Sequence, residues 1–330
     1  MDGGPDRGVR IELVRGDALE VDADVLVLKY AQALHGVDRQ VYLRFEWHEP
    51  ERDLPDPGRT YLATSPAGVA SREVLFVGTR PIDEFDYSDL RELGRVALTA
   101  IGDRRPDARH VAMTLHGVGF GLDEEEACEA QIAGLLDAIH SGSAPAGLER
   151  VSIVEHGRGR FSRLQPVVEL LRSETTAAPR LGHAPAGRPD RLARVGAESN
   201  RKPHVFVAMP FDQTLDDLYY YGIQSAVKAG GYLCERADLA TFTGDVISWV
   251  KRRISTGQLV VAELTGANAN VYLEVGYAWG TGVPTILVAR HDEKLLFDVR
   301  GQRCLLYESI RDLEVKLTDE ISGLVGDGAR

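Results

Sequence analysis

Short apolar runs alternate with longer stretches of helical periodicity along most of the chain. In the first half, Val9–Val14, Val25–Lys29, Val74–Val77, Val111–Leu115 and Val151–Glu155 carry the dense apolar content of buried strands. Leu90–Ile101, Glu124–Ile139 and Gln165–Leu171 instead repeat apolar positions at the spacing of one helix face. The second half is patterned more sharply. His204–Ala208, Tyr232–Arg236, Leu259–Leu264 and Thr285–Ala289 read as strands, with Cys304–Tyr307 as an edge strand. Helices are expected over Leu215–Ala229, closed by Gly230-Gly231, and up to Ile254 from a cap at Thr243 or Asp245. Two more are expected over Val271–Gly280 and from the capping-box-like Ser309-Ile310-Arg311-Asp312 onward. Strands alternating with helices predict mainly parallel sheets covered on both faces.

One stretch breaks the alternation. Ser173–Asn200 is rich in Ala, Pro, Gly and Arg and nearly free of large apolar residues, apart from a short helical possibility at Arg188–Val195. Such a segment buries too little surface to offset its ordering entropy and reads as a linker. The expected organisation is therefore a domain over 1–172, a linker over 173–202 and a second domain over 203–330. A length of 330 residues suits two ordinary cores better than one.

Composition narrows the setting. Asp and Glu outnumber Lys and Arg by 50 to 38, a formal charge of −12 that disfavours general nucleic-acid binding. No apolar run reaches the roughly 20 residues that cross a bilayer, and the polar opening MDGGPDRGVR is not read as a signal peptide. Cys128, Cys234 and Cys304 have no metal-ligand or redox spacing and are expected to be reduced, buried apolar residues. The expectation is a cytoplasmic protein with no metal and no membrane association.

In open parallel sheets ligands bind beyond the carboxyl ends of the strands, which in the second domain are the loops MPFDQT, ADLATFTGD and ELTGANANVYLE. Three carboxylates are expected to converge there: Asp238, Glu263 and Glu274. Glu263 ends a strand, and Glu274 falls in the first turn of the following helix, where the dipole favours its ionised form. Gly266 supplies a tight turn, Asn268 and Asn270 supply amides, and Phe211, Tyr272 and Tyr277 supply flat surfaces for a base. A carboxylate among amides and aromatics suits chemistry at a sugar carbon, where an oxocarbenium-like centre forms as a glycosidic bond breaks. Several positions carry two readings. Asp212 caps a helix or contacts ribose, and Arg236 grips a phosphate or pairs with Asp238. Met209, Phe206, Trp249 and Trp279 read as packing residues, and His204 and His291 as ordinary strand-end histidines.

The strings VFVAMPF at 205–211, ERAD at 235–238, VVAELTGANANVYLEVGYAWGTG at 260–282 and PTILVA at 284–289 resemble the nucleoside 2-deoxyribosyltransferase-like branch of the TIR-like superfamily, over roughly 203–308. The resemblance implies a flavodoxin-like doubly wound parallel sheet. It also implies that the Glu of an E-x-G-x-A helix motif, here Glu274-Val275-Gly276-Tyr277-Ala278, is the catalytic carboxylate at C1′. An acidic residue ending the preceding strand contacts the nucleoside in that family; it is usually Asp and is Glu263 here, one methylene longer.

In the first half, RGDALEVDADVLVLK at 15–29 resembles the opening of macrodomains, and TLHGVGFGLDEEEA at 114–127 resembles their phosphate loop. Gly117, Gly119 and Gly121 would let backbone N–H groups approach an anion at a helix N-terminus, although Glu124, Glu125 and Glu126 oppose one there. The segment YAQALHGVDRQV lacks the Asn-rich first loop of ADP-ribose binders, so the resemblance implies a divergent macro-like three-layer α/β domain, either sensor or scaffold. HGRGRF at 156–161 is a second anion loop, with Arg158 and Arg160 as donors, or an exposed turn.

The function expected on this basis is an N-glycosidase-type effector of bacterial antiviral defence that cleaves the N-glycosidic bond of NAD or a related nucleotide. The nucleotide is substrate, with no separate cofactor. A nucleotide or protein activator is expected at the N-terminal domain, and a homo-oligomer overall. Two other readings stand: a housekeeping nucleoside deoxyribosyltransferase or hydrolase, and a non-catalytic nucleotide-binding signalling module.

Overall fold

The computed structural model describes residues 8–45, 54–81, 84–118, 121–176, 192, 194–210, 212–236, 246–296, 299 and 301–327. It is a mixed α/β protein whose contacts divide into two compact units, residues 1–118 with 124–200 and residues 119–123 with 201–330. Among the described residues no helix is long and apolar enough to cross a membrane.

The first unit is built on six strands, β1 Arg10–Arg15, β2 Val25–Tyr30, β3 Thr60–Thr64, β4 Glu73–Gly78, β5 His110–Thr114 and β6 Arg150–Glu155, in the order β1-β6-β5-β2-β4-β3. All pair in parallel except β3, which runs antiparallel to β4 at the edge. Helices α1 Gly36–Tyr42, α2 Tyr87–Arg104, α3 Glu124–His140 and α4 Arg158–Thr176 accompany them. Strand β2 is buried on both faces and so reads VLVL, with the deep Lys29 neutralised by Asp38 at 3.0 Å. Helices α2 and α3 approach through Gly94 and Gly134; a Cβ on Gly134 would lie 1.8 Å from the Arg91 carbonyl oxygen.

In the first unit the observed elements differ from the sequence expectation in four places. Strand β3 and helix α1 went unread, because TYLAT is only half-buried and the α1 segment carries Gly and His at its start. Helix α4 begins at Arg158, not Gln165, and absorbs most of HGRGRF. The expected linker is docked where it is described: Arg91 donates to the carbonyls of Leu192 and Val195, Ser199 Oγ donates to Glu126, and Asn200 Oδ1 accepts from the Tyr87 amide. Three polar anchors and the buried Val195 hold a segment that lacks a hydrophobic face of its own.

The second unit has five parallel strands, β7 His204–Ala208, β8 Leu233–Glu235, β9 Leu259–Glu263, β10 Thr285–Arg290 and β11 Cys304–Tyr307, in the order β8-β7-β9-β10-β11. Alternate residues feed two cores. Val205, Val207, Leu259, Val261 and Val288 face the π-helical Leu218–Gln224, its continuation α5 Ser225–Ala229, and α8 Ile310–Asp327. Phe206, Ala208, Val260, Ala262 and Leu287 face α6 Val246–Thr256 and α7 Ala269–Gly280. Each fully buried Val or Leu in these stripes contributes roughly 1.5–3 kcal/mol. The segment expected as one α-helix from Leu215 to Ala229 instead widens into π geometry over LYYYGIQ. Cys128 and Cys234 are buried free thiols, whereas Cys304 is only half-buried.

Candidate functional site

Helix α7 starts two residues earlier than its apolar pattern indicates, because Asn268 caps it: its side-chain oxygen accepts from the Asn270 amide at 2.9 Å. Glu274 therefore lies in the second turn, not the first, and the helix dipole does little for its charge. Val271, Val275 and Ala278 form the buried stripe, and Glu274 borders it. At about 100° per residue, Asn270 and Tyr277 share Glu274's flank as i−4 and i+3 neighbours, while Tyr272 projects from the other flank. Among the described residues the Glu274 carboxyl has neither a hydrogen-bond nor an ion-pair partner. Burial alone lifts its pKa to about 7. The carboxyl is half-buried, bonded by no described residue, and raised toward neutrality by burial, a combination that marks it as a candidate for chemistry.

Glu263 stands in a different relation to its surroundings. It is fully buried and extends from the sheet face of Leu259 and Val261, opposite the face that α7 covers. Its Oε1 accepts from the Thr265 hydroxyl, the Thr265 amide at 3.3 Å and the Tyr307 phenol at 3.0 Å, while Oε2 has no hydrogen-bond partner among the described residues. Burial raises its pKa, and the hydrogen bonds from Thr265 and Tyr307 offset part of that rise. Neither carboxyl perturbs the other: Glu274 is shifted by desolvation only. The strand's alternation sets the Glu263 side chain on the sheet face of Leu259 and Val261, opposite the one that α7 covers.

Arg236, at the end of β8, lies over the Tyr219 ring at 4.1 Å and pairs loosely with Asp216 at 3.4 Å. Its expected alternative partner Asp238 lies outside the described residues, as do Phe211, Gly119 and the cap candidates Thr243 and Asp245. Asp212 is exposed and caps the short turn Gln213–Leu215, accepting from the Thr214 amide at 2.8 Å; those bonds lower its pKa. Asn270 is exposed, and Tyr272 buries its hydroxyl without a hydrogen-bond partner among the described residues. Met209, Phe206 and Trp249 are core residues, but Trp279 is 39% exposed and is not the packing residue expected. Gly117 and Gly121 take positive φ, 85° and 94°, as backbone turns built on glycine require. The adjoining Glu124 is paired with Arg163 and Arg160, and Arg160 also with Glu155 at 3.3 Å, so these arginines are already neutralised within HGRGRF's own neighbourhood.

No family model matches the chain, and no curated protein matches it either. Among solved structures the N-terminal half is similar to macrodomains. An Oceanobacillus iheyensis macrodomain with MES bound is 19% identical, with 50% of this chain covering 93% of that one at a TM-score of 0.39. A Trypanosoma brucei macrodomain in complex with ADP is 17% identical, with 48% covering 68% at 0.36. The macro domain of ganglioside induced differentiation associated protein 2 is 14% identical, with 49% covering 86% at 0.37.

Two groups of residues escaped sequence reasoning. Thr265 follows Glu263 at the spacing of a local side-chain turn, a signal present in the string ELT, but Tyr307 reaches it across 44 residues with no local trace. The second group is buried Glu235, which receives Arg253 Nε at 2.7 Å and lies 4.0 Å from His204. Desolvation lowers the His204 pKa, and its ring nitrogen meets the Arg253 carbonyl at 2.9 Å.

Proposed function

We propose that the second unit is an N-glycosidase acting on NAD or a related nucleotide, with Glu274 as the carboxylate at the sugar C1′. The observation that carries this reading is the half-buried Glu274 carboxyl, bonded by no described residue and raised by burial to a pKa of about 7. In the reaction the C1′–N bond breaks with its electron pair going to the base. The ionised carboxylate attacks, or stabilises, the cationic C1′; water then adds its hydroxyl to C1′, displacing the carboxylate where an ester has formed, and its remaining proton goes to the released base or to solvent. Asn270 and Tyr277 lie on the same helix flank and are available to the sugar or base. The strand order β8-β7-β9-β10-β11 with helices on both faces is consistent with a flavodoxin-like doubly wound domain, and its TIR-like assignment rests on the sequence resemblance. The first unit acts as a macro-like sensor for a nucleotide or protein activator, in a cytoplasmic homo-oligomeric effector of antiviral defence. That part rests on the sequence resemblance.

The test is direct. Purified protein is incubated with NAD and with nucleoside triphosphates, with and without candidate activators, and released bases are identified by mass. Base release abolished by Glu274→Gln supports the reading. No release from any substrate, or release indifferent to Glu274→Gln, overturns it. Base exchange between nucleosides without an activator would favour the housekeeping transferase instead.

A further inference from the structure

We propose that Glu263, Thr265 and Tyr307 form a positioning clamp that sets the start of α7 and thereby aims Glu274, with Glu263 itself making no contact with substrate. The inference rests on the functional reading above for its catalytic consequences, and on geometry alone for the clamp.

Three observations carry it. First, Glu263 is wholly buried and its one engaged oxygen takes three donors, two from Thr265 and one from Tyr307. That oxygen is used up within the protein. Second, Thr265 hands the connection on: its hydroxyl oxygen accepts from the Arg290 amide at 3.1 Å, tying the loop to the end of β10. The next residue, Gly266, donates its amide to Glu293 at 3.0 Å, a second tie to the same edge. Third, the turn so held is strained. Gly266 and Ala267 take φ of 77° and 49° in succession, and an alanine in that region persists only where its surroundings over-determine it. Asn268 follows at once and caps α7, so the turn's geometry is the geometry of the helix start. A helix is stiff over a turn and a half, so a rotation at Asn268 is delivered to Glu274 undiminished.

A positioning role and a contact role make opposite demands on charge. The clamp needs an acceptor at Oε1, which an amide also provides; the other oxygen has no hydrogen-bond partner among the described residues. A residue that contacts a developing cation needs the carboxylate. Glu263→Gln is therefore expected to keep base release within about threefold of the parent, whereas Thr265→Val, which removes a donor to Glu263 and the acceptor for Arg290, lowers kcat by roughly tenfold or more with KM little changed. Thr265→Ser restores most of the rate, and Tyr307→Phe falls between.

The experiment measures kcat and KM for these four variants on full-length protein. It also follows the titration of the Glu274 side-chain carboxyl by carbon NMR, assigned through its loss in Glu274→Gln. The titration needs no activity. In Thr265→Val the Glu274 midpoint is expected to move down from about 7 by at least roughly half a pH unit, as a misaimed side chain gains water, and to return in Thr265→Ser. A Glu263→Gln variant that is folded but inactive overturns the clamp and returns Glu263 to the substrate. A Glu274 midpoint unmoved in Thr265→Val also overturns it, whether or not base release is found. Absence of base release from the parent with the midpoint moved as expected counts against the N-glycosidase reading and leaves the clamp standing.

Discussion

Replacing Glu274 by Gln should make the second unit more stable at neutral and alkaline pH, at the same time as it abolishes function. The unfolded chain titrates this carboxyl near 4.5, and the folded chain near 7. Because the folded pKa is the higher, the native state holds the proton more tightly, and stability falls as pH rises between those two values. At about 1.4 kcal/mol per pH unit the loss accumulates to about 3 kcal/mol once the pH exceeds 7. Below 4.5 it vanishes. An amide of the same shape does not ionise and so never incurs it. The assay is urea unfolding followed by tryptophan fluorescence in a Trp47→Phe background, which leaves Trp249 and Trp279 as reporters in the second unit. Parent and Glu274→Gln are compared at pH 5 and pH 8. The gap between them should be small at the acid end and about 2–3 kcal/mol in favour of the amide at the alkaline end. A pH-independent gap, or a variant weaker than the parent at pH 8, would refute the claim that Glu274 is desolvated and unpartnered.

In the first unit, Lys29→Met leaves buried Asp38 without its cation and should cost about 3–5 kcal/mol by thermal unfolding, most of it recovered in Lys29→Met with Asp38→Leu. Gly134→Ala drives a methyl into the Arg91 carbonyl and should destabilise by at least about 1–3 kcal/mol, with helix content retained in circular dichroism. Ala267→Gly relieves a positive φ at some entropic cost and should be neutral or up to about 1 kcal/mol stabilising in the urea assay, with base release preserved. If Glu274 works as a carboxylate, kcat rises with pH through about 7 to a plateau, and a rate that falls through the same range would assign it the role of proton donor.

The strands of both sheets were legible because a buried parallel strand has no polar face to keep; VLVL, HVFVA and LVVA announce themselves. Half-buried β3 and the short α1 were not, since neither carries a period strong enough to separate it from loop. The docked tail before residue 201 shows a different limit. Composition judged it a linker by its lack of apolar residues, yet its order comes from Arg91, Glu126 and Tyr87, residues supplied from more than 70 positions away. At the candidate site, the pattern around Glu274 set the residue on the right helix but one turn too early, because the Asn268 cap was not read.

The two glutamates show why site chemistry is harder to read than fold. In sequence each is an acid beside a sheet's carboxyl edge, and both have raised pKa values from burial. What separates them is which groups each carboxyl engages. One oxygen of Glu263 takes a hydroxyl, an amide and a phenol, while its buried Oε2 has no hydrogen-bond partner among the described residues. The fold meets Glu274 with nothing among the described residues, at a standing cost of about 3 kcal/mol above pH 7. A ligand that presents a cationic carbon or a hydrogen-bond donor to that carboxylate can recover up to the same free energy, worth about two orders of magnitude in affinity or rate. The recovery is greatest for the species that carries most positive charge at that point. On the N-glycosidase reading proposed above, such a site would favour a sugar carbon in the act of losing its base over the same sugar at rest, through the same burial that weakens the fold.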